Sequence, residues 1–374
     1  MTLLSLIGKK KGSPSGSLDR MAWRRFRRNP LSVAALVVIG LFALVAILGY
    51  LITPDHTPHC NQQYLELATL KPGSRATFLC VENEKQKTKS ETDSLSLFTF
   101  HFSLKTMLKG EPLPYAATPI YKYEYTGDSL TAYPYGGEPL TLHRREACIE
   151  QRTFLLGTDP YGRDVLSMLM IGSRVSLSVG FIAILIALLV GITLGALAAY
   201  HGGWVDNVIL WLINVVWSIP TVLLVIAITF ALGKGFWQIF VAVGLTMWVD
   251  IARVVRGEVL SIKEKEYVEA TRALGYSTFR TIFRHILPNI VGAVVVVAAS
   301  NFASAILLEA GLSFLGIGVQ PPMPSWGMMV KDYYGYILLD SAYLALLPGA
   351  AIMLIVLAFM LLANGLRDAL DIRR

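Results

Sequence analysis

Six long apolar runs divide the chain, at 31–53, 175–199, 208–232, 236–255, 286–308 and 343–363. Each is long enough to cross a bilayer as an α-helix, which takes about 20 apolar residues. The pattern predicts an all-α membrane protein with six transmembrane helices. The first run is too long for the core of a cleavable signal and lacks a small-residue cleavage site before Pro54, so it reads as a retained helix. Ahead of it, 1–30 is a basic, polar leader. Its stretch 21–29 has the make-up of a short helix at the membrane surface, with Trp23 and Phe26 toward lipid, or of a plain basic tail.

Between the first two runs lies a polar, tyrosine-rich segment. Leu95-Ser96-Leu97, Phe100-His101-Phe102-Ser103-Leu104 and Tyr121-Lys122-Tyr123-Glu124-Tyr125 alternate with period two, and each predicts a strand with one face buried. Turn signals stand at Glu111-Pro112-Leu113-Pro114 and Gly136-Gly137. The expected organisation is a leader (1–30), a first helix (31–53), a β-containing extracytoplasmic insert (54–152) and a helical core (153–374).

Composition agrees with a membrane setting. Mean hydropathy is +0.54, and 16% of the 374 residues are charged, against roughly 25% in soluble domains. The net charge of +7 does not point to nucleic acid, because its placement follows the helices. Eight basic residues lie from Lys9 to Arg28, seven from Arg253 to Arg284, and three more are Arg367, Arg373 and Arg374. The short loops on the opposite side hold Lys234 and Lys331. This asymmetry predicts both termini in the cytoplasm, with the basic clusters against anionic lipid head groups.

Cys60, Cys80 and Cys148 all fall in the insert and lack zinc-ligand spacing. In an oxidising compartment one pair is open to a disulfide, with one thiol left over, and Cys60–Cys80 is the candidate pair. No phosphate-binding Gly-x-x-x-x-Gly-Lys-Ser/Thr, no His-Glu-x-x-His and no serine nucleophile elbow occurs, so no catalytic residue, metal site or cofactor is expected in this chain.

The segment between the fourth and fifth runs carries most information. Ile262, Tyr267, Ala270 and Leu274 recur at helical spacing, which predicts a short amphipathic helix over about 262–275 that Gly275 terminates. Such a helix, projecting from a membrane bundle, docks a cytosolic protein, lies on lipid or is simply solvated. Glu269-Ala270-Thr271, then Gly275, then Leu287-Pro288 resembles the EAA motif of bacterial ABC importer permeases, with Thr271 in place of the second alanine and His285 in place of an isoleucine. The resemblance implies that Tyr267, Glu269, Ala270, Thr271, Leu274 and Gly275 belong to a coupling helix seated on an ATP-binding subunit. ATP and magnesium would then reside on that partner.

Further motifs resemble the C-type subunits of the dipeptide/oligopeptide/nickel group. They are Gly157-Thr158-Asp159-Pro160-Tyr161-Gly162-Arg163-Asp164, then Gly311-Leu312-Ser313-Phe314-Leu315-Gly316, Gln320-Pro321-Pro322, Ser325-Trp326-Gly327 and Asn364-Gly365-Leu366-Arg367-Asp368-Ala369-Leu370-Asp371. The resemblance implies a second permease, two ATP-binding subunits, an extracytoplasmic binding protein and peptide cargo, with nickel or other small solutes as the alternative. It spans about 20–53 and 153–374.

On the residues themselves, Thr158 or Asp159 is a candidate helix cap and Arg163–Asp164 a candidate ion pair, a structural role for Gly157, Thr158, Asp159, Gly162, Arg163 and Asp164. Asn214, Ser218, Asn301, Ser304 and Glu309 are candidates to line a pathway, since polar groups are costly in hydrocarbon; interhelical hydrogen bonding is the other reading. Asp250 and Arg253 share one face of the fourth run. Gly191-x-x-x-Gly195 permits close helix packing. An ion-coupled secondary transporter is the competing function; it predicts broken helices and internal repeats, and no repeat is visible.

Overall fold

The computed structural model describes residues 14–82, 110–113, 115–144, 147–233 and 235–370. Among the described residues eleven α-helices and five strands follow one another. Helix α1 (Pro14–Arg28) leads into α2 (Pro30–Ile52). The strands are β1 (Ser74–Glu82), β2 (Tyr115–Thr126), β3 (Ser129–Pro134), β4 (Leu140–His143) and β5 (Ala147–Phe154). The remaining helices are α3 (Val165–His201), α4 (Gly203–Ser218), α5 (Thr221–Leu232), α6 (Phe236–Lys263), α7 (Glu266–Ala273), α8 (Thr278–Thr281), α9 (Leu287–Phe314), α10 (Trp326–Tyr333) and α11 (Tyr343–Leu370).

Among the described residues five helices are long and apolar enough to cross a membrane, and six spans result if α4 and α5 are taken as one. Those two meet at a 97° bend at Pro220, inside the apolar run 208–232 expected as one span. The cause is local: Pro220 has no N–H to continue the ladder of α4, and its carbonyl instead accepts from Leu224 N to start α5. Helix α3 begins ten residues before the expected boundary. Asp164 caps it, accepting from Ser167 N at 2.9 Å, and Ser167, Met168 and Ile171 of the extra turns are buried. Helix α6 likewise runs on to Lys263, so Ile262 ends α6 rather than opening the short helix after it. A single turn of π-helix at Ile282–Ile286 precedes α9 and admits Pro288.

Helices α3 and α6 form the closest-packed pair. Gly191 and Gly195 of α3 face Trp248, Ile251 and Ala252 of α6, and Gly244 of α6 faces Ala183 and Ile186. A side-chain-free strip on each helix lets the backbones approach. Around this seam lies the main core, with Val179, Ala187, Val243, Val255 and Ile286 among its members. Phe26 of α1 is buried, near Gly365 of α11, while Trp23 stacked beside it is exposed. Phe26 therefore serves helix packing rather than a lipid face.

The five strands make one antiparallel sheet in the order β4-β3-β2-β1-β5. The expected strand at 121–125 is the far half of β2, yet Tyr121 through Tyr125 are all exposed, because β2 runs on past the core as an arm paired with β3. The strands expected at 95–97 and 100–104 lie outside the described residues. Cys60 and Cys80 do not pair. Cys60 is buried beside Tyr50 and Val165, whereas Cys80 sits on β1 among Tyr64, Phe78 and Phe154. Cys80 instead stands directly opposite Cys148 of β5, a placement compatible with a cross-strand bridge.

Burial and the facing Cys148 push the Cys80 thiol up to about 12, so oxidation starts at the exposed Cys148. Mild oxidation with diamide is expected to link Cys80 to Cys148, remove two hydrogens from the intact mass and leave Cys60 alkylatable after unfolding. A Cys60–Cys80 peptide in a non-reducing digest would show that this register is wrong.

Candidate functional site

Two features combine to form the candidate site: an exposed tip between α6 and α9, and a cavity beneath the α4–α5 bend. At the tip, α7 follows α6 after a two-residue turn at Glu264 and Lys265. Gly275 ends α7 at φ +71°, a left-handed conformation that glycine takes without strain. Its N–H donates to Arg272 O, and Tyr276 N–H donates to Thr271 O. These two bonds are the Schellman pair, so the chain turns sharply back toward the membrane helices.

The tip has an anchored side and an open side. Val268 and Thr271 are buried; Thr271 Oγ1 donates to Val268 O at 2.6 Å and lies 3.4 Å from Thr281 Oγ1 of α8. Tyr267, Glu269, Ala270 and Leu274 are exposed. Of the apolar positions marked from the sequence, Tyr267, Ala270 and Leu274 thus face outward and Ile262, at the end of α6, is buried; the inward face of α7 is Val268 and Thr271. Phe279 and Phe283 were missed. They lie one turn apart, with ring centroids 4.3 Å apart, and both are exposed. Their spacing of four was the available signal. Leu274, 70% exposed, is a further exposed apolar side chain of the tip, where Arg272, Arg280 and Arg284 are exposed as well.

The cavity beneath the bend has a volume of about 460 Å³. Trp217 of α4, Thr221 of α5, Thr246 and Asp250 of α6, and Ser304 of α9 line it together with aliphatic side chains. Asp250 makes no hydrogen bond or ion pair among the described residues. Arg253, one turn along α6, donates to Asn214 Oδ1 at 3.2 Å and lies 3.6 Å above the Trp217 ring. Arg256 forks onto Asp206 of α4 at 2.6 and 2.7 Å, which ties the first half of the bent pair to α6.

The other pathway candidates are placed differently. Ser304 lines the cavity. Asn214 is exposed and holds Arg253, and Ser218 is exposed with its hydroxyl donating to Val215 O. Asn301 is buried, donating to Met247 O of α6 at 3.4 Å. Glu309 is fully buried, accepting from Ser176 Oγ of α3 at 3.0 Å and Ser313 Oγ at 2.8 Å. These two stitch helices together and do not face the cavity, because helix-to-helix hydrogen bonds consume their polar atoms.

The turn before α3 is built around Asp159. Its side chain accepts from Tyr161 N (2.9 Å), Arg163 N (2.8 Å), Arg163 Nε (2.7 Å) and the Tyr333 hydroxyl of α10 (2.9 Å). Arg163 therefore pairs with Asp159. The expected Arg163–Asp164 pair is absent because Asp164 is taken up as the cap of α3. Thr158, the other expected cap, instead bridges Leu67 O and Leu70 N. Gly162 lies against Tyr64 backbone at φ +74°, where no side chain fits, and Gly157 lies equally close to Leu70 O. Burial pushes the Asp164 carboxyl up and the Tyr333 hydroxyl well above its usual range.

Residues 191–374 match the family described as binding-protein-dependent transport system inner membrane component, and 17–72 match the N-terminal transmembrane domain of oligopeptide transport permease C. Over 216 residues the chain is 41% identical to the glutathione transport system permease protein GsiD of Pectobacterium atrosepticum, covering 58% of this chain and 71% of that protein. The chain belongs to this family of ABC importer permeases. A dipeptide transport system permease protein of Alkalihalophilus pseudofirmus is 42% identical over 215 residues, 58% of this chain and 70% of its own. A dipeptide permease of Lactococcus lactis is 29% identical over 365 residues, 98% of this chain and 93% of its own. Among solved structures, the inward-facing MetNI methionine ABC transporter matches at 20% identity and a TM-score of 0.46, over 55% of this chain and 97% of that one. The permease is thus a multi-pass membrane protein, and its EAA-like residues fall inside the matched region, on the exposed tip.

Proposed function

We propose that this permease is the C-type transmembrane subunit of an ATP-driven, binding-protein-dependent importer of dipeptides or oligopeptides, with both termini in the cytoplasm of a bacterial inner membrane. The observation that carries the reading is the open face of α7. Tyr267, Glu269, Ala270 and Leu274 are presented to solvent, while Val268 and Thr271 fasten the helix to the bundle. Small and acidic residues on a rigid, capped helix suit a cleft on a cytosolic ATP-binding subunit. ATP hydrolysis belongs to two such subunits, and a second permease completes the pathway. The named relatives, permeases for dipeptides, oligopeptides and glutathione, support peptide cargo.

Motion of the ATP-binding subunits reaches the cavity by a short route. Helix α7 is joined to α6 by two residues, and α6 carries Asp250. The Arg256–Asp206 fork moves α4 with it. Closing and opening of the ATP-binding pair then alternates access to the cavity from the two sides of the membrane. The sheet lies on the extracytoplasmic side, where the open arm of β2, with Tyr121, Tyr123 and Tyr125 exposed, is suited to docking the binding protein.

Purification of the full chain from its membrane in mild detergent is expected to bring two ATP-binding subunits and a second permease with it. Glu269→Lys reverses a charge on the open face. Gly275→Pro forces φ from +71° to about −65° and disrupts the cap. Both variants are expected to lower ATP-driven uptake at least tenfold and to reduce recovery of the ATP-binding subunits. A folded chain that comes down alone, without ATPase, sinks the reading in favour of an ion-coupled carrier, to which the broken α4–α5 pair lends its one supporting feature.

A further inference from the structure

The cavity beneath the α4–α5 bend has chemistry that neither helix packing nor coupling uses. Asp250 lies fourteen residues into the 28-residue α6, inside the apolar run 236–255 and toward its inner end, one turn before Arg253. A carboxylate inside a span is expensive unless a partner or a functional load offsets it. Arg253 is the nearest cation, yet it is turned away onto Trp217 and Asn214. Around the carboxylate stand hydroxyls with acceptor capacity to spare. Thr246 Oγ1 donates to Val243 O and Ser304 Oγ points to Ser300 O, so each hydroxyl oxygen keeps its own lone pairs. Thr221, the first residue of α5, adds a third. A carboxylate that shares its cavity with three hydroxyl oxygens, and to which no amide or guanidinium donates among the described residues, suits an ammonium group.

Resting on the peptide-importer reading above, we infer that Asp250 binds the α-ammonium of a short peptide in transit. Thr221, Thr246 and Ser304 supply oxygen acceptors for the remaining ammonium hydrogens, and the aliphatic wall accommodates side chains. The bend at Pro220 makes this possible, because a straight helix would fill the space.

The test uses the complete importer, with both permeases, the ATP-binding subunits and the binding protein, in proteoliposomes. Uptake of radiolabelled Ala-Ala is compared with N-acetyl-Ala-Ala, which lacks the cationic end, with binding-protein affinity for each measured separately. The wild type is expected to favour Ala-Ala beyond the binding protein's own preference. Asp250→Asn is expected to lower Ala-Ala uptake on the order of tenfold, as for one charge-assisted hydrogen bond, and to erase that extra preference, with ATP-binding subunits still attached. Asp250→Glu, which keeps the charge, retains the preference and covers the case in which the asparagine variant does not assemble. The inference is overturned if Asp250→Asn keeps both rate and preference, if Asp250→Glu loses the preference while assembled, or if an ATP-hydrolysing wild type carries neither peptide. Loss of the ATP-binding subunits from the wild type would instead overturn the importer reading itself.

Discussion

Replacing Asp159 with alanine is expected to destabilise the folded permease by about 3–5 kcal/mol, the loss typical of breaking a buried ion pair from one side. The side chain is fully buried and accepts from two backbone N–H groups, the Arg163 guanidinium and the Tyr333 hydroxyl. Alanine removes that acceptor from all of them at once and leaves Arg163 with Asn61 Oδ1 and the Tyr333 hydroxyl with the Met168 sulfur, weaker partners than a carboxylate. Tyr333→Phe removes one donor and leaves the others in place, so its cost is about 0.5–1.5 kcal/mol. Arg163→Lys lies between them, because a lysine point charge cannot reproduce the fork that meets Asp159 through Nε. Thermal inactivation half-lives of the three variants in detergent give the order, a rate being the sound measure for a membrane protein that unfolds irreversibly. Equal losses for Asp159→Ala and Tyr333→Phe would show that Asp159 does not hold this turn together. At stake is the joint between the insert and the helices, since Asp159 links the start of α3 to α10.

Much of this architecture is legible in the sequence, for a reason that also marks where the legibility ends. A run of about 20 apolar residues is a one-dimensional signal, and the bilayer enforces it. The spans at α2, α9 and α11 therefore begin within a residue or two of where hydropathy puts them. Boundaries fail where protein replaces lipid. Ser167 and Ser173 would be costly in hydrocarbon, but they lie buried beneath the turn and α10, so α3 starts at Val165. Arg256 lies past the expected end of the fourth run, yet α6 continues through it to Lys263, with Arg256 held by Asp206 and Lys263 by Ala199 O. Pro220 announces a weak point and carries no information on the angle, which is set by what α4 and α5 pack against. The motif 157–164 identifies the residues of the turn, whereas the choice between Asp159 and Asp164 for Arg163 depends on which carboxylate faces α10. Register across strands 68 positions apart is likewise a tertiary fact, so the partner of Cys80 could not be read. Legible again is Gly275, because a helix cap is local.

The seam between α3 and α6 yields the second large effect. Gly195→Leu is expected to separate the two helices and to cost several kcal/mol, with loss of ATP-coupled uptake even where the chain still inserts. A Cβ at 195 would lie 2.5 Å from Ala252 O and 3.1 Å from Ala252 Cα, and one at 191 would lie 2.7 Å from Trp248 O. Comfortable heavy-atom contact is about 3.5–4.0 Å, and backbone atoms have no rotamer with which to move away. Even Gly195→Ala therefore loses stability, by the roughly 1–3 kcal/mol of an overpacked core, although alanine gains about 0.5–1 kcal/mol over glycine from backbone entropy alone. Gly257 supplies the control on α6 itself. Nothing lies within 4 Å of a Cβ built there, so Gly257→Ala keeps the entropic gain and is expected to stabilise the permease slightly. Opposite signs from one substitution type separate close approach from helix propensity. If both alanine variants stabilise, the seam is looser than these contacts require. Transport should follow the same division. Helix α6 joins the coupling helix to the cavity and can transmit a displacement only while α3 holds it laterally, so Gly195→Leu is expected to uncouple ATP hydrolysis from uptake while Gly257→Ala leaves the two linked.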